Sequence, residues 1–166
     1  MRFAPTAAAL SLFVAVTASV GGAQDSKADP RAAMLMAKAD AALAAGDTQK
    51  AIDSFEAALA VDPGHTPIFL GLAEVARKEG LQGKAIRYYR EAIARDPDNF
   101  AAISGEGEAL VEKGALKKAK RNLAKLESMC GASCPETLQL QSSIEQGKQT
   151  RMAADAMSND IPAANN

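Results

Sequence analysis

Two cysteines, Cys130 and Cys134, and a single histidine, His65, are the most reactive side chains in this 166-residue sequence. They are little material for a metal centre or a nucleophile pair. The cysteines flank the turn Gly131-Ala132-Ser133. That is not the two-residue spacing of a dithiol redox motif, and no histidine follows as haem attachment would require. In an oxidising compartment two cysteines so close predict a disulfide, with free thiols as the alternative. The loop is short, so its closure would contribute about 2 kcal/mol. His65 follows Pro63-Gly64 and has no second histidine or cysteine in reach, which makes it a solvent-exposed turn residue. Gly80-Leu81-Gln82-Gly83-Lys84 hints at a phosphate loop, but the spacing is wrong and no Ser or Thr follows the lysine. None of the 20 acidic residues forms a recognisable catalytic pair. The expectation is a protein without catalysis, cofactor or metal.

Composition points to helices. Hydrophobic residues make up 48% of the chain, much of it Ala, aromatics make up 4%, and Trp is absent. Ala loses no side-chain entropy in a helix and lets helices approach closely. A formal charge of -1 gives no reason to expect a nucleic-acid partner.

Residues 1–23 read as a secretory signal. Arg2 supplies the positive start, Ala7 to Val20 is apolar apart from Ser and Thr, and Gly21-Gly22-Ala23 places small residues at a cleavage site before Gln24. The apolar run falls short of the ~20 residues that span a bilayer. The mature chain is therefore expected to be exported, in the periplasm, without stable insertion in the membrane. Residues 24–29 would form a short linker.

Beyond it the same residue types recur every 34 positions. Gly46, Gly80 and Gly114 form one series, and Ala51, Ala85 and Ala119 another. Ala39, Ala73 and Gly107 are always tiny; Phe55, Tyr89 and Leu123 are always large. Asp62-Pro63 returns as Asp96-Pro97. Caps and breakers divide each period into two helices. Asp29-Pro30 and Thr66-Pro67 open first helices, with Asp98 as the expected cap of the third. Each Gly suits the left-handed residue just past a helix end. Asp47 caps a second helix, and Pro63 and Pro97 end second helices. The third copy has Gly131 where a closing Pro would stand. The tiny residues allow the two helices of a pair to cross closely, and the large ones fill the gap to the next pair. Leu35, Phe69 and Ile103 hold the large position in the first helices. One hairpin cannot bury its apolar face alone, so the pairs must stack.

Leu72-Ala73, Gly80, Ala85, Tyr89, Ala92 and Pro97 in the middle copy carry a resemblance to the tetratricopeptide repeat family, and the pattern extends over about residues 32–130. The resemblance implies an all-α, right-handed superhelical solenoid of three helical hairpins, at about residues 32–65, 66–99 and 100–131. A capping helix over 135–146 would complete a repeat domain of residues 30–146, with 147–166 as a flexible tail. The family resemblance also implies a concave groove lined by the first helix of each pair. The matching positions are Met36, Asp40 and Leu43, then Leu70, Glu74, Arg77 and Lys78, then Ser104, Glu108 and Val111. Asp40, Glu74 and Glu108 keep the 34-residue period and would form an acidic row interrupted by Arg77 and Lys78. Some family members clamp a terminal carboxylate with Lys and Asn; acids at these positions disfavour that mode. The expected partner is a protein or peptide segment with apolar anchors and a basic side chain.

The sixth helix is basic, with Lys117, Lys118, Lys120, Arg121 and Lys125 on what reads as a solvated outer face, phosphate or anionic-lipid binding being the alternative. The sequence thus predicts an interaction scaffold of the cell envelope, or else a non-catalytic accessory subunit or assembly factor of an envelope enzyme or export complex.

Overall fold

The computed structural model describes residues 27–159, all of whose regular structure is helical. Residues 1–26, with the expected export signal, and residues 160–166 lie outside them. Seven helices follow in order: α1 (Pro30–Ala44), α2 (Thr48–Val61), α3 (Thr66–Lys78), α4 (Gln82–Arg95), α5 (Phe100–Glu112), α6 (Leu116–Cys130) and α7 (Pro135–Asn159).

Local chemistry sets most of the boundaries. The Asp29 carboxylate accepts from the Arg31 N–H ahead of α1, and Asp47 accepts from the Lys50 N–H ahead of α2. Gly46, Gly80 and Gly114 turn each hairpin with φ of +78°, +70° and +78°, the region that Cβ-bearing residues avoid. Gly131, at φ +94°, ends α6 in place of a proline. One expected cap moves by a residue. Asn99, not Asp98, precedes α5, and its side-chain oxygen accepts from the Ala102 N–H at 2.9 Å.

The helices pack as three antiparallel hairpins, α1–α2, α3–α4 and α5–α6, with α7 laid against both α5 and α6. First helices touch one another along the stack, α1 with α3, α3 with α5 and α5 with α7, whereas α2, α4 and α6 do not meet among themselves. The first helices are therefore the inner, concave layer, and the second helices the outer, convex one. Ala39, Ala73, Ala51, Ala85 and Ala119 are all fully buried, as close crossings require.

Successive hairpins interlock through rings. Phe55 of α2 lies against Gly71 of α3, and Tyr89 of α4 lies against Gly105 of α5. A Cβ at either glycine would overlap the ring. The two joints are 34 residues apart on both sides. The third joint is built differently. Leu140 of α7 packs on Gly107, where an added Cβ would come within 2.6 Å of the leucine methyls. This explains a glycine where the first two repeats have Ala39 and Ala73.

α7 differs from the expected capping helix of residues 135–146, because it continues to Asn159. Residues 147–159 lack an amphipathic stripe, which is why the sequence reads as a tail. They also lack proline, and Gln, Lys, Arg, Met and Ala extend a helix on intrinsic preference. Gly147 does not stop the helix. It lies against Val111 of α5, where a Cβ would be 2.5 Å from a methyl group. No described helix is long and apolar enough to cross a membrane.

Candidate functional site

The inner layer brings the ten expected groove residues onto α1, α3 and α5, but their environments diverge along the stack. On α1, Met36 and Leu43 are half-buried and Asp40 is exposed. On α3, Leu70 is half-buried beside exposed Glu74 and Lys78. These six side chains line an open surface with an apolar floor and with Asp40, Glu74 and Lys78 on its rim.

On α5 the surface is closed. Ser104 is 3% exposed and Glu108 6% exposed, because α7 covers them. The Ser104 hydroxyl donates to the Glu136 carbonyl of α7 at 3.1 Å. Val111 is half-buried under Gly147. Glu108 therefore does not continue an exposed acidic row. Nor does Arg77 merely interrupt one. Its guanidinium pairs with Glu108 at 2.7 Å, binds Glu112 through two nitrogens, and lies against the Tyr89 hydroxyl. Burial alone would favour the neutral guanidinium, but Glu112, Tyr89 and Glu108 outweigh it and hold Arg77 firmly charged. Burial pushes the Tyr89 phenol up, against the opposing pull of Arg77.

Around this cluster a depression of about 220 Å³ opens between α3, α5 and the start of α7, with Leu70, Glu74, Arg77, Glu136 and Gln139 among its walls. Glu136 and Gln139 were not expected there, since they belong to a helix read only as a cap. A larger cleft of about 660 Å³ lies between Val111, Leu116 and the continuation of α7 at Gly147, Thr150 and Arg151. It exists only because α7 overhangs α5.

One further polar residue escaped the sequence reading. Glu106 of α5 is 8% exposed, at the repeat position where Leu72 and Leu140 are core residues. It survives there by full pairing: Arg90 of α4 binds one carboxylate oxygen at 2.7 Å and Asn122 of α6 donates to the other at 2.9 Å. Asn122 also donates to the Ile103 carbonyl at 3.1 Å. The available signal was faint: an acid stands between Leu72 and Leu140 at one repeat position, but Lys38 holds that position in the first repeat.

Cys130 and Cys134 form a disulfide across the α6–α7 turn. His65 is half-buried at the entry to α3. Among the described residues no group of His, Cys, Asp and Glu is arranged to hold a metal ion.

Comparison with solved structures returns the same architecture. The first tetratricopeptide domain of Spaghetti (RPAP3), bound to an HSP90 peptide, is 20% identical, with TM-score 0.64, over 74% of this chain and 99% of that one. The Sgt2 tetratricopeptide domain of Aspergillus fumigatus is 24% identical, with TM-score 0.65, over 84% and 89%. The type III secretion chaperone SycD of Yersinia enterocolitica, in complex with a peptide of the translocator YopD, is 24% identical, with TM-score 0.62, over 72% and 93%. At these identities the likeness establishes the fold. Sequence comparison with curated proteins found no match. The tetratricopeptide repeat family model matches residues 6–66, 36–100 and 70–120, the greater part of the sequence. With the hairpin period, the ring-on-glycine joints and the stacked inner layer, this match makes the chain a member of the tetratricopeptide repeat family.

Proposed function

We propose that this protein is a non-catalytic binding module of the cell envelope that holds a segment of a partner protein on the inner face of α1 and α3. The observation that carries the reading is the open surface there. Met36, Leu43 and Leu70 are half-buried and supply an apolar floor, while Asp40 and Glu74 stand exposed above it. Such a face takes a segment with apolar side chains on one side and a lysine or arginine directed at the two acids. Peptides bound to two structurally similar domains, an HSP90 peptide and a translocator peptide, support the use of this fold for segment capture. The acids distinguish this face from one that clamps a terminal carboxylate.

Export rests on the residue pattern of 1–23 alone. Mass spectrometry of the protein isolated from the envelope should find Gln24 as its first residue; an intact Met1 terminus on cytosolic protein would remove the envelope from the proposal. The binding face is tested by cross-linking in the native envelope, followed by affinity measurement on what is captured. Asp40→Lys with Glu74→Lys should weaken capture more than tenfold, since two attractive charges become repulsive. Unchanged affinity would discard the inner face of α1 and α3 as the site.

A further inference from the structure

The cations of this protein gather on two of its outer helices. In the second and third hairpins the outer helices α4 and α6 together carry nine Lys and Arg against two Glu, although the whole chain has a formal charge of -1. α6 contributes Lys117, Lys118, Lys120, Arg121 and Lys125, all exposed, with Glu127 as its single acid. Among the described residues none of these five cations joins an ion pair. Lys125 reaches only the Pro97 carbonyl, at 3.4 Å. Lys118 and Lys125 share the side of α6 that holds Asn122, as spacings of four and three residues dictate. Asn122 is joined through Glu106 to Arg90 of α4. The basic face of α6 therefore continues across Glu106 to Arg90 and its exposed neighbour Arg87.

We infer that this convex face docks the protein on an anionic phospholipid surface. The face is outward-curving and its charges are spread over two helices, which suits a sheet of headgroups rather than a single strand needing a groove. Four of the five cations on α6 are Lys, compact point charges without the planar fork that reads one phosphate. No aromatic residue is interleaved on α6 for base stacking. Ala124 and Ser128 complete its outer side, so α6 has no large exposed apolar side chain to insert. Attachment is then purely electrostatic: reversible, dependent on lipid charge, and weakened by salt. It also turns the inner face of α1 and α3 away from the bilayer, towards partners.

Co-sedimentation of the full chain as isolated from cells tests this. The protein should pellet with vesicles of phosphatidylglycerol in phosphatidylcholine at low salt, and not with phosphatidylcholine alone. Reversal of three charges, Lys117→Glu, Arg121→Glu and Lys125→Glu, should lower partitioning more than about tenfold. The same change in net charge placed elsewhere, Lys38→Glu, Lys50→Glu and Lys148→Glu, should leave most of it. Equal loss in both triple variants, no loss in the first, or equal binding to neutral vesicles would overturn the assignment. A DNA duplex that binds this face more tightly than the vesicles would overturn it in favour of nucleic acid. A salt titration of the unaltered chain is independent of any folding defect in the variants: release is expected as salt rises, and binding that survives molar salt would reject the electrostatic dock.

Discussion

The inner faces of α3 and α5 carry residues one repeat apart, yet they end in opposite states. Glu74 and Glu108 occupy the same register position; the first is exposed and the second 6% exposed. Leu70 borders an open floor, while its counterpart Ser104 is sealed beneath α7. The period fixes the direction in which a side chain leaves its helix. What that side chain meets is decided by the next helix in the stack. For α3 the next inner helix is α5, which leaves Glu74 open. For α5 it is α7, which is tethered by a turn of four residues and its disulfide and closes over the end. The same inner layer is thus an open surface at one end and an interior at the other.

Substitutions that separate these two roles should grade in size. The joints come first, because both faces depend on them. Tyr89→Ala removes a ring that is 2% exposed and fills the space above Gly105. A loss of about 3 to 5 kcal/mol in denaturant unfolding is expected; a loss below about 1 kcal/mol would mean that the ring does not hold the second and third hairpins together.

Next comes the closed face. Arg77→Ala leaves Glu108 covered and without its guanidinium partner, while the Ser104 hydroxyl is already engaged by the Glu136 carbonyl. About 3 kcal/mol should be lost. Glu74→Ala, one repeat earlier, should stay within about 0.5 kcal/mol. Equal costs would erase the contrast between the two faces.

The covering helix is tested by Leu140→Ala, which should cost about 2 to 4 kcal/mol because Leu140 is fully buried on Gly107. Leu138→Ala, on the exposed side of the same helix, should be nearly neutral. Hydrogen exchange should show Ser104 and Glu108 losing protection in the first variant alone.

The disulfide should add less. Serine at both Cys130 and Cys134 is expected to cost about 2 kcal/mol at most, the value of a short closed loop, and to quicken exchange at the start of α7. Thiol titration of denatured protein kept oxidised should find no free cysteine; two free thiols would reject the bond.

The smallest effect is a titration. Burial raises the Tyr89 phenol, so the folded state holds that proton more tightly than the unfolded chain does. The linked stability is complete below the ordinary phenol value of about 10 and is lost as pH rises through the folded one. Phenolate absorbance should therefore show one tyrosine titrating late in the native protein, with denaturation midpoints falling on the alkaline side. A Tyr89 that ionises with the unfolded chain's phenols would place its hydroxyl in water.

Much of the fold was legible before any coordinates. The 34-residue spacing of Gly46, Gly80 and Gly114, the alanine crossings and the aspartate caps act within a turn or between adjacent helices, where residue type alone sets backbone conformation and closest approach. The glycines opposite Phe55 and Tyr89 were equally periodic and went unread, because a helical glycine gives no sign of which ring lies on it. The cap at Asn99 lay beside an equally suitable aspartate. Hydrophobic pattern ended α7 at Gln146, whereas intrinsic helix preference carries it to Asn159.

The groove divides along the same line. Sequence alone determined that Asp40, Glu74 and Glu108 leave their helices in one direction, since a helix of fixed pitch repeated at a fixed interval returns each position to the same face. Only tertiary structure decided that Arg77 neutralises Glu108, that Glu106 holds Arg90 and Asn122 together, and that α7 covers the part of the surface on α5. Those outcomes depend on distances between residues remote in the chain and on the solvent each helix displaces. Neither quantity is a property of a residue's type or of its spacing to its neighbours.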